Sequence, residues 1–455
     1  MTARLLPLWN RINASYWFWP ATFCVLAFAL SLFTIHLDRS GAAEWLSANS
    51  AIAPARPGGA NTMLQVIAGS MIGVAATVFS ITIAAVAYAS GTYGPRLLTN
   101  FMEDRGNQLS LATFIGTFLY ATMVLRVVRG EDERATTIRD ALSSDLPGFV
   151  PQLSLLVATG LMLVSIGVLV FFLNHIPSSI RINKVLEQIG RRLIEQVRDR
   201  FPTESVAITR VERPQGSPVI ARDSGYIEVI DFAGLEAIAA RHDGQIVLLR
   251  EAGDFVHPAM PLAQFCGGKA DDSDPDEVDT AEKRADDMRG CFVVSGLRTP
   301  QQDLRFLIDE LVEIALRALS PGINDPFTAM TALHWLGAAT AELGQRELRV
   351  SPTDVDKQDK SRVFPLHSDF ADYVATGFGS ARSAVASSRK ATLALFDSLY
   401  NCAISVRGAD RMAVLAQEAD RLMDQCAGAL TGPDLVEVHE RHRTFQRDVA
   451  RIAAA

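Results

Sequence analysis

Apolar residues are distributed very differently in the two parts of this chain. Four long apolar runs lie within the first 175 residues, and shorter runs with helical or alternating spacing follow them. A helix crosses a bilayer with about 20 mostly apolar residues. The four runs reach that length at residues 17–37, 62–90, 109–128 and 152–175. We therefore predict that residues 1–175 form a transmembrane domain of four helices.

Helical spacing continues beyond the fourth apolar run. Residues 176–201 keep apolar side chains at helical intervals, including Val185, Ile189 and Leu193. Pro177 predicts a kink near the membrane surface, because proline interrupts the helical hydrogen-bond ladder. This segment is therefore predicted to be a helical stalk between the membrane and the rest of the chain.

Residues 202–297 carry the signals of a small β-rich domain. Short runs rich in β-branched and aromatic residues, such as 225–230 and 291–296, are typical of strands. The stretch 267–290 is acidic and poor in large apolar residues, which predicts a solvated loop. The segment around 224–265 resembles half of a biotinyl-type barrel-sandwich domain, with Ala259 where a glycine is usual. Because it lacks the modified lysine, no prosthetic group is expected.

Residues 298–455 are predicted to form a helical bundle. Leu304, Leu307 and Leu311 lie on one face of an amphipathic helix, and further amphipathic segments continue to the end of the sequence. The predicted fold class is therefore a membrane α-helical protein with four transmembrane helices, followed by a cytosolic α/β portion. That portion begins with the small β-domain and ends with the helical bundle.

The segment 320–326, which reads SPGINDP, separates two of the predicted helices. Pro321 and Gly322 stop the first helix, with the glycine free to take positive φ, and Asn324 or Asp325 caps the second ahead of Pro326. A tight turn between two helices explains this concentration of helix-stopping and capping residues. Alternatively, the converging helix ends form a polar ligand site or a hinge. The candidate residues for that site are Arg298, Gln302, Asp303, Arg317, Ser320, Asn324 and Asp325.

Composition excludes several classes of function. The chain has 455 residues, of which 49% are hydrophobic, and a net charge of −8, so a nucleic-acid partner is not expected. Its five cysteines are scattered, without a CxxC pair, which argues against a disulfide framework and a zinc site. No GxSxG, P-loop, HExxH or dinucleotide motif occurs, so we expect neither enzymatic activity, a catalytic residue, a metal nor a cofactor.

The second apolar run carries small residues at helical spacing. Such a face lets another helix approach closely, within one subunit or in a homo-oligomer. Alternatively it lines a pore, in which hydroxyl groups face a hydrated ion. The candidate pore-lining residues are Gly73, Thr77, Ser80 and Ala84, with Arg96 as a positive ring at the mouth.

The distribution of basic residues predicts the orientation. With four spans both termini share one side of the membrane, and Lys and Arg near the spans are more numerous on that side than on the other. Because the cytoplasmic side is enriched in these residues, we predict a multi-pass protein of the bacterial inner membrane with cytoplasmic N- and C-termini.

Two strings in the sequence carry a family resemblance. RTPQQDLRFLIDELVEIALRALSPGINDPFTA, together with FSITIAAVAYASGTYGPRLLTNFMEDRGNQ nearer the N-terminus, resembles a family of bacterial predicted membrane proteins catalogued as domain of unknown function 2254. The likeness extends from the first span to about residue 345. Here Asn174 stands where the resemblance leads us to expect a second histidine beside His175. The resemblance implies an integral membrane protein and supplies no activity.

Two hypotheses of different classes follow. The first is an oligomeric passive channel, with the second span lining the pore and the cytosolic portion regulating it. The second is a membrane-anchored sensor or scaffold, in which the spans anchor and the cytosolic portion binds a partner or metabolite. In either case the partners are the bilayer, further copies of the chain, and an ion or small polar ligand. The sequence favours the channel slightly, because no titratable group lies at depth in the spans.

Overall fold

The computed structural model describes residues 15–40, 56–94, 104–129, 149–179, 181–203, 215–267, 275–348 and 361–454. The chain forms two compact units that divide between Arg181 and Ile182. We call the part up to Arg181 the first unit and the part from Ile182 onward the second unit.

The first unit contains four helices that are long and apolar enough to cross a membrane, as the four apolar runs predicted. Helix α3 is the most buried of the four and contacts each of the other three. Helices α2 and α3 begin before the predicted starts of their spans, because Pro57 occupies the first turn of α2 and Asp104 caps α3, whereas α3 ends three residues before its predicted end. Their bounds are α1 Phe18–Arg39, α2 Pro57–Tyr93, α3 Arg105–Leu125 and α4 Gln152–Ser179.

Polar contacts join these helices near one end of the bundle. The Tyr120 hydroxyl lies 2.9 Å from Thr34 Oγ1 and donates to the Ser154 carbonyl at 3.2 Å. The Asp38 carboxylate accepts hydrogen bonds from the backbone N–H groups of Leu153 and Ser154, at 2.9 and 3.0 Å. Asp38 therefore satisfies the otherwise unpaired donors at the start of α4.

The second unit begins with helix α5, Ile182–Arg200, and contains two small sheets. One sheet has the strand order β1-β5-β3-β7, and the other has the order β4-β2-β6. All pairings are antiparallel except β3 with β7. The strands are β1 Ser217–Ile220, β2 Gly225–Ile230, β3 Gln245–Leu248, β4 Phe255–Val256, β5 Pro261–Cys266, β6 Phe292–Ser295 and β7 Val363–Phe364, with helix α6, Phe232–Arg241, between β2 and β3.

The predicted acidic loop is wrong for residues 275–290, which form helix α7, Pro275–Gly290. Met288 of this helix is fully buried in the core beneath the sheets, and Ala285 packs against the same core. On the exposed side, Arg289 pairs with Glu282 and Asp286. Glu282, Asp286 and Asp287 are exposed and therefore form the solvated face of an amphipathic helix.

The remaining helices pack into the same unit as the sheets. Helix α5 contacts both α8 and α9, and β7 pairs with β3 although it comes more than a hundred residues later. The segments predicted as stalk, β-domain and helical bundle thus belong, from Ile182 on, to one unit. The helices are α8 Leu304–Ala318, α9 Pro326–Leu343, α10 Phe370–Val374, which continues through a π-helical turn, Ala375–Gly379, into α11 Ser380–Val385, then α12 Arg389–Ala403, α13 Ala409–Ala429 and α14 Gly432–Ala454.

Candidate functional site

The SPGINDP segment forms a closed corner between α8 and α9. Asp325 Oδ1 accepts from the N–H groups of Phe327 and Thr328, both at 3.1 Å, so Asp325 is the cap and Asn324 is not. Asn324 takes the positive φ of 49°, where the sequence led us to expect Gly322. The carbonyl of Ala318, the last residue of α8, accepts from the N–H of Asp325 at 2.7 Å. The converging helix ends are thus bonded to one another, as a structural corner requires.

The seven residues predicted as one polar site lie in two places. Helix α8 is 15 residues long, so about 22 Å separates its ends. Arg298, Gln302 and Asp303 lie before its first turn, whereas Arg317 and the three corner residues lie at its last turn and beyond. A single site that includes both sets is therefore excluded. The predicted site required packing to bring Arg298, Gln302 and Asp303 near the corner, and the length of α8 keeps them apart from it.

The predicted pore residues lie on an outward face of α2. Gly73, Thr77, Ser80 and Ala84 are all exposed in the single chain, and a Cβ added at Gly73 would meet no atom within 4 Å. The hydroxyls of Thr77 and Ser80 donate to carbonyls of their own helix, at 3.0 and 2.8 Å. Arg96 lies outside the described residues.

A cavity of about 330 Å³ opens within the second unit. Its volume is at the lower end of the range for small-molecule sites. Polar side chains that line it come from four places: the end of α5, the turn after β3, the residues before α8, and the segment between β7 and α10. These are Gln196, Asp199, Arg200, Arg250, Glu251, Gln301, Gln302, His367 and Ser368, and the hydroxyl group of Tyr373 on α10 completes the polar lining.

Gln302, one of the predicted site residues, fixes one edge of this cavity. Its side chain accepts from the Ile230 N–H at 2.9 Å and donates to the Ile230 carbonyl at 3.2 Å, so it extends the edge of β2 as another backbone segment would. Its own carbonyl accepts from Arg200 Nη1 at 2.7 Å. Gln302 therefore joins the end of α5 to the sheet.

Two buried or half-buried carboxylates at or near the cavity, Glu251 and Asp303, are paired with arginines. Glu251 lies 3.3 Å from Arg305 and accepts from Ser368 Oγ at 2.9 Å. Burial raises the pKa of Glu251, while Arg305 and Ser368 oppose that rise. Asp303 is buried against Arg298, with an oxygen–nitrogen distance of 2.6 Å, and burial likewise raises its pKa although Arg298 counteracts it. Both carboxylates are therefore engaged in ion pairs within the fold.

Two further lining groups set the polarity of the cavity. Burial raises the pKa of Tyr373 to about 12, so its hydroxyl stays protonated throughout the physiological range. The Nε atom of Arg250 is buried and has no hydrogen-bond partner among the described residues. The cavity therefore offers a guanidinium donor for which the described chain supplies no acceptor.

The sequence did not reveal Arg250, Glu251, His367 or Tyr373 as neighbours. Arg250 and Glu251 follow a four-residue strand, and His367 and Ser368 lie in an irregular segment, so none belongs to a periodic pattern or a motif. Their proximity depends on the parallel pairing of β3 with β7, which brings residue 363 beside residue 246. A local signal in this region is the pair Gly253 and Asp254, since such residues are typical of a turn after a strand.

The chain is similar to proteins of bacterial origin. The family model described as "Predicted membrane protein (DUF2254)" matches residues 13–401. Uncharacterized proteins of Mycobacterium bovis and of two strains of Mycobacterium tuberculosis are each 32% identical to the chain over 333 residues. These matches cover 72% of this chain and 60% of each relative, so the chain spans less than two thirds of their length. No solved structure matches.

Proposed function

Since this chain belongs to the DUF2254 family of predicted membrane proteins, we propose that it is a membrane-anchored sensor whose second unit binds a small polar ligand. The observation that carries this proposal is the 330 Å³ cavity. About half of the side chains that line it are hydrophobic, and polar groups from several segments converge on it, a mixture that a ligand site requires. The four apolar helices supply the anchor.

The position of the cavity favours a regulatory role over a purely structural one. It lies where α5, the sheets and the α8 start meet, so an occupant contacts elements that are far apart in sequence. A ligand that binds only the closed arrangement stabilises it by mass action. Ligand binding can therefore change how these elements pack, which is what a sensor requires.

Thermal unfolding of the full chain in detergent tests this proposal. A panel of small polar compounds is screened for those that raise Tm, and each is then tested on Gln301→Trp, which places a large ring at the exposed edge of the cavity. We expect ligands to raise Tm in the wild type and not in Gln301→Trp. The matched control is Gln417→Trp, on an exposed position of α13 that does not line the cavity.

Two results contradict the sensor proposal. In the first, no compound of the panel raises Tm. In the second, compounds raise the Tm of Gln301→Trp as much as that of the wild type, because binding then takes place elsewhere on the chain.

A second candidate function is an oligomeric pore, and the exposed small-residue face of α2 favours it. In a symmetric oligomer this face can either pack against a neighbour or surround an aqueous path. The test is ionic current through planar bilayers from purified wild type, Gly73→Trp and Ser80→Trp. A pore lined by α2 loses conductance in both variants while the oligomer persists.

The control for the pore test is Gly160→Trp. Gly160 is an exposed glycine of α4 that likewise has no atom within 4 Å of an added Cβ. Currents that persist in Gly73→Trp and Ser80→Trp exclude α2 as the lining. Equal loss in Gly160→Trp means instead that any bulky group on the bundle disturbs the protein.

A further inference from the structure

Among the described residues that line the cavity, Arg250 has a buried hydrogen-bond donor without an acceptor. It follows β3 by two residues, and its Nε is buried without a hydrogen-bond partner among the described residues. Buried donors in folded proteins are nearly always paired with protein, water or a ligand, since a desolvated charged donor without an acceptor is costly. Arg250 therefore brings to the cavity wall a guanidinium group whose Nε has no acceptor among the described residues.

Arg200 supplies a second guanidinium to the same space. It lines the cavity and donates one N–H, from Nη1, to the Gln302 carbonyl at 2.7 Å. A guanidinium carries five N–H donors in a planar fork, so this bond anchors Arg200 and leaves most of its donors for other acceptors. Two arginines on the lining of one cavity suit the two or three oxygens of an oxyanion.

The acidic groups of the cavity do not cancel this positive charge. Glu251 is engaged by Arg305, which is not a lining residue, and by Ser368. Asp199 also lines the cavity, but it is exposed and its charge is largely screened by solvent. The lining therefore presents an excess of positive charge in its less exposed part.

The rest of the wall is hydrophobic. Ile230 and Leu248 are buried strand residues, and Phe232, Leu348 and Leu366 complete this side of the cavity. A bare inorganic ion would leave these side chains without a partner. A ligand that binds the two arginines and also packs on the hydrophobic side chains therefore has an anionic group and an apolar part.

We infer that the ligand of this cavity is a small organic anion, whose carboxylate or phosphate group is bound by Arg250 and Arg200 while its apolar part packs on the hydrophobic wall. This inference rests on the proposed binding function and adds the chemical class of the ligand.

The test compares four probes that share one ring and differ in charge: benzoate, phenyl phosphate, benzyl alcohol and benzylamine. Binding to the full chain in phosphatidylcholine nanodiscs is measured by ligand-detected NMR and calorimetry. We expect the two anions to bind roughly 10- to 100-fold more tightly than benzyl alcohol, as hydrogen bonds to charged groups predict. We expect benzylamine to bind most weakly.

The variants identify the arginine that is responsible. Arg250→Gln is expected to remove most of the preference for anions while leaving the affinity for benzyl alcohol unchanged. Arg250→Lys keeps the charge without the planar fork and is expected to restore only part of the preference. The matched control is Arg191→Gln, at an exposed position of α5 outside the cavity. If Arg250→Gln does not fold, Arg200→Gln serves for the same comparison.

The outcomes separate this inference from the function on which it rests. If benzyl alcohol binds as tightly as benzoate, and Gln301→Trp abolishes both, the cavity binds ligands and the anion inference is overturned. If none of the probes or panel compounds binds, both are overturned. Adding phosphatidylglycerol to the nanodiscs identifies the source of the anion. Competition with benzoate indicates a lipid headgroup, and unchanged benzoate binding indicates a soluble metabolite.

Discussion

At the scale of single residues, the best-defined buried charge is Glu418 on α13. It is almost fully buried and accepts two hydrogen bonds from Arg382 Nη1, at 2.9 and 2.8 Å. Burial raises the pKa of Glu418, and Arg382 opposes that rise. Removing one partner of a buried pair typically costs about 3–5 kcal/mol. We expect Arg382→Met to cost about 3 kcal/mol, since Arg421 remains nearby at 3.9 Å.

The loss of stability caused by Arg382→Met should be smaller at low pH than at high pH. Without Arg382 the pKa of Glu418 rises further above its unfolded value, so the folded protein binds the proton more tightly than the unfolded chain does. Stability is then lost as the pH rises through the raised pKa. The Tm deficit of the variant should therefore be smaller at pH 5 than at pH 8. A deficit that stays constant with pH, or one that the exposed Arg443→Met shares, contradicts this account.

Ala259 has a backbone conformation that residues with a Cβ atom rarely adopt. Its φ is 83°, in the region that favours glycine, and the sequence had already marked it as standing where a glycine is usual. Holding an L-residue with a Cβ atom in this region costs about 1 kcal/mol or more of folding free energy. We expect Ala259→Gly to raise stability by about 1 kcal/mol, measured as a shift in Tm.

The control for Ala259→Gly is Ala413→Gly, at an exposed helical position of α13. There glycine should lower stability by about 0.5–1 kcal/mol. If Ala259→Gly were destabilising to the same extent, strain at Ala259 would be ruled out.

At the scale of elements, one glycine decides how closely α5 and α9 approach. A Cβ placed on Gly190 of α5 would overlap the indole ring of Trp335 on α9. Because both helices are packed in the core of the second unit, neither can move freely. We expect Gly190→Ala to destabilise the protein by about 1–3 kcal/mol through overpacking, measured by thermal or chemical unfolding.

Gly428 provides the opposite case within a helix. It lies on an exposed face of α13, where an added Cβ meets no atom within 4 Å. Gly428→Ala should therefore stabilise by up to about 1 kcal/mol through helix propensity alone. Equal effects at Gly190 and Gly428 would mean that helix propensity, and not the contact with Trp335, governs both positions.

Elements differed in how far the sequence could predict them. The four long apolar helices were predictable, because an uncharged apolar run of that length is typical of a helix that crosses a bilayer. Helix α7 was not predicted, because a segment rich in acidic residues is typical of a solvated loop. Its one large apolar side chain in the core, Met288, gives too weak a pattern to indicate a helix. A cap at Asn324 or Asp325 was predictable from local chemistry, and the structure shows that it is Asp325. The cavity depends on contacts between distant segments, which no local pattern encodes.

At the scale of the whole molecule, the orientation of the four spans is open to a direct test. The distribution of Lys and Arg predicts that both termini lie in the cytoplasm. A fluorescent protein that folds only in the cytoplasm should therefore be bright when fused after residue 455. Alkaline phosphatase, which is active only outside the cytoplasm, should be inactive at the same position. Active phosphatase there would reverse the predicted orientation.

The pairing of β3 with β7 has a consequence for biosynthesis. Ile246 lies opposite Val363, so β3 emerges from the ribosome long before its partner exists. At about 5–20 residues per second, that interval lasts roughly 6–20 s. Throughout it the nascent chain presents an unpaired strand edge that other chains can join. Ribosomes that stall or terminate before residue 363 should therefore release fragments that aggregate or are held by chaperones.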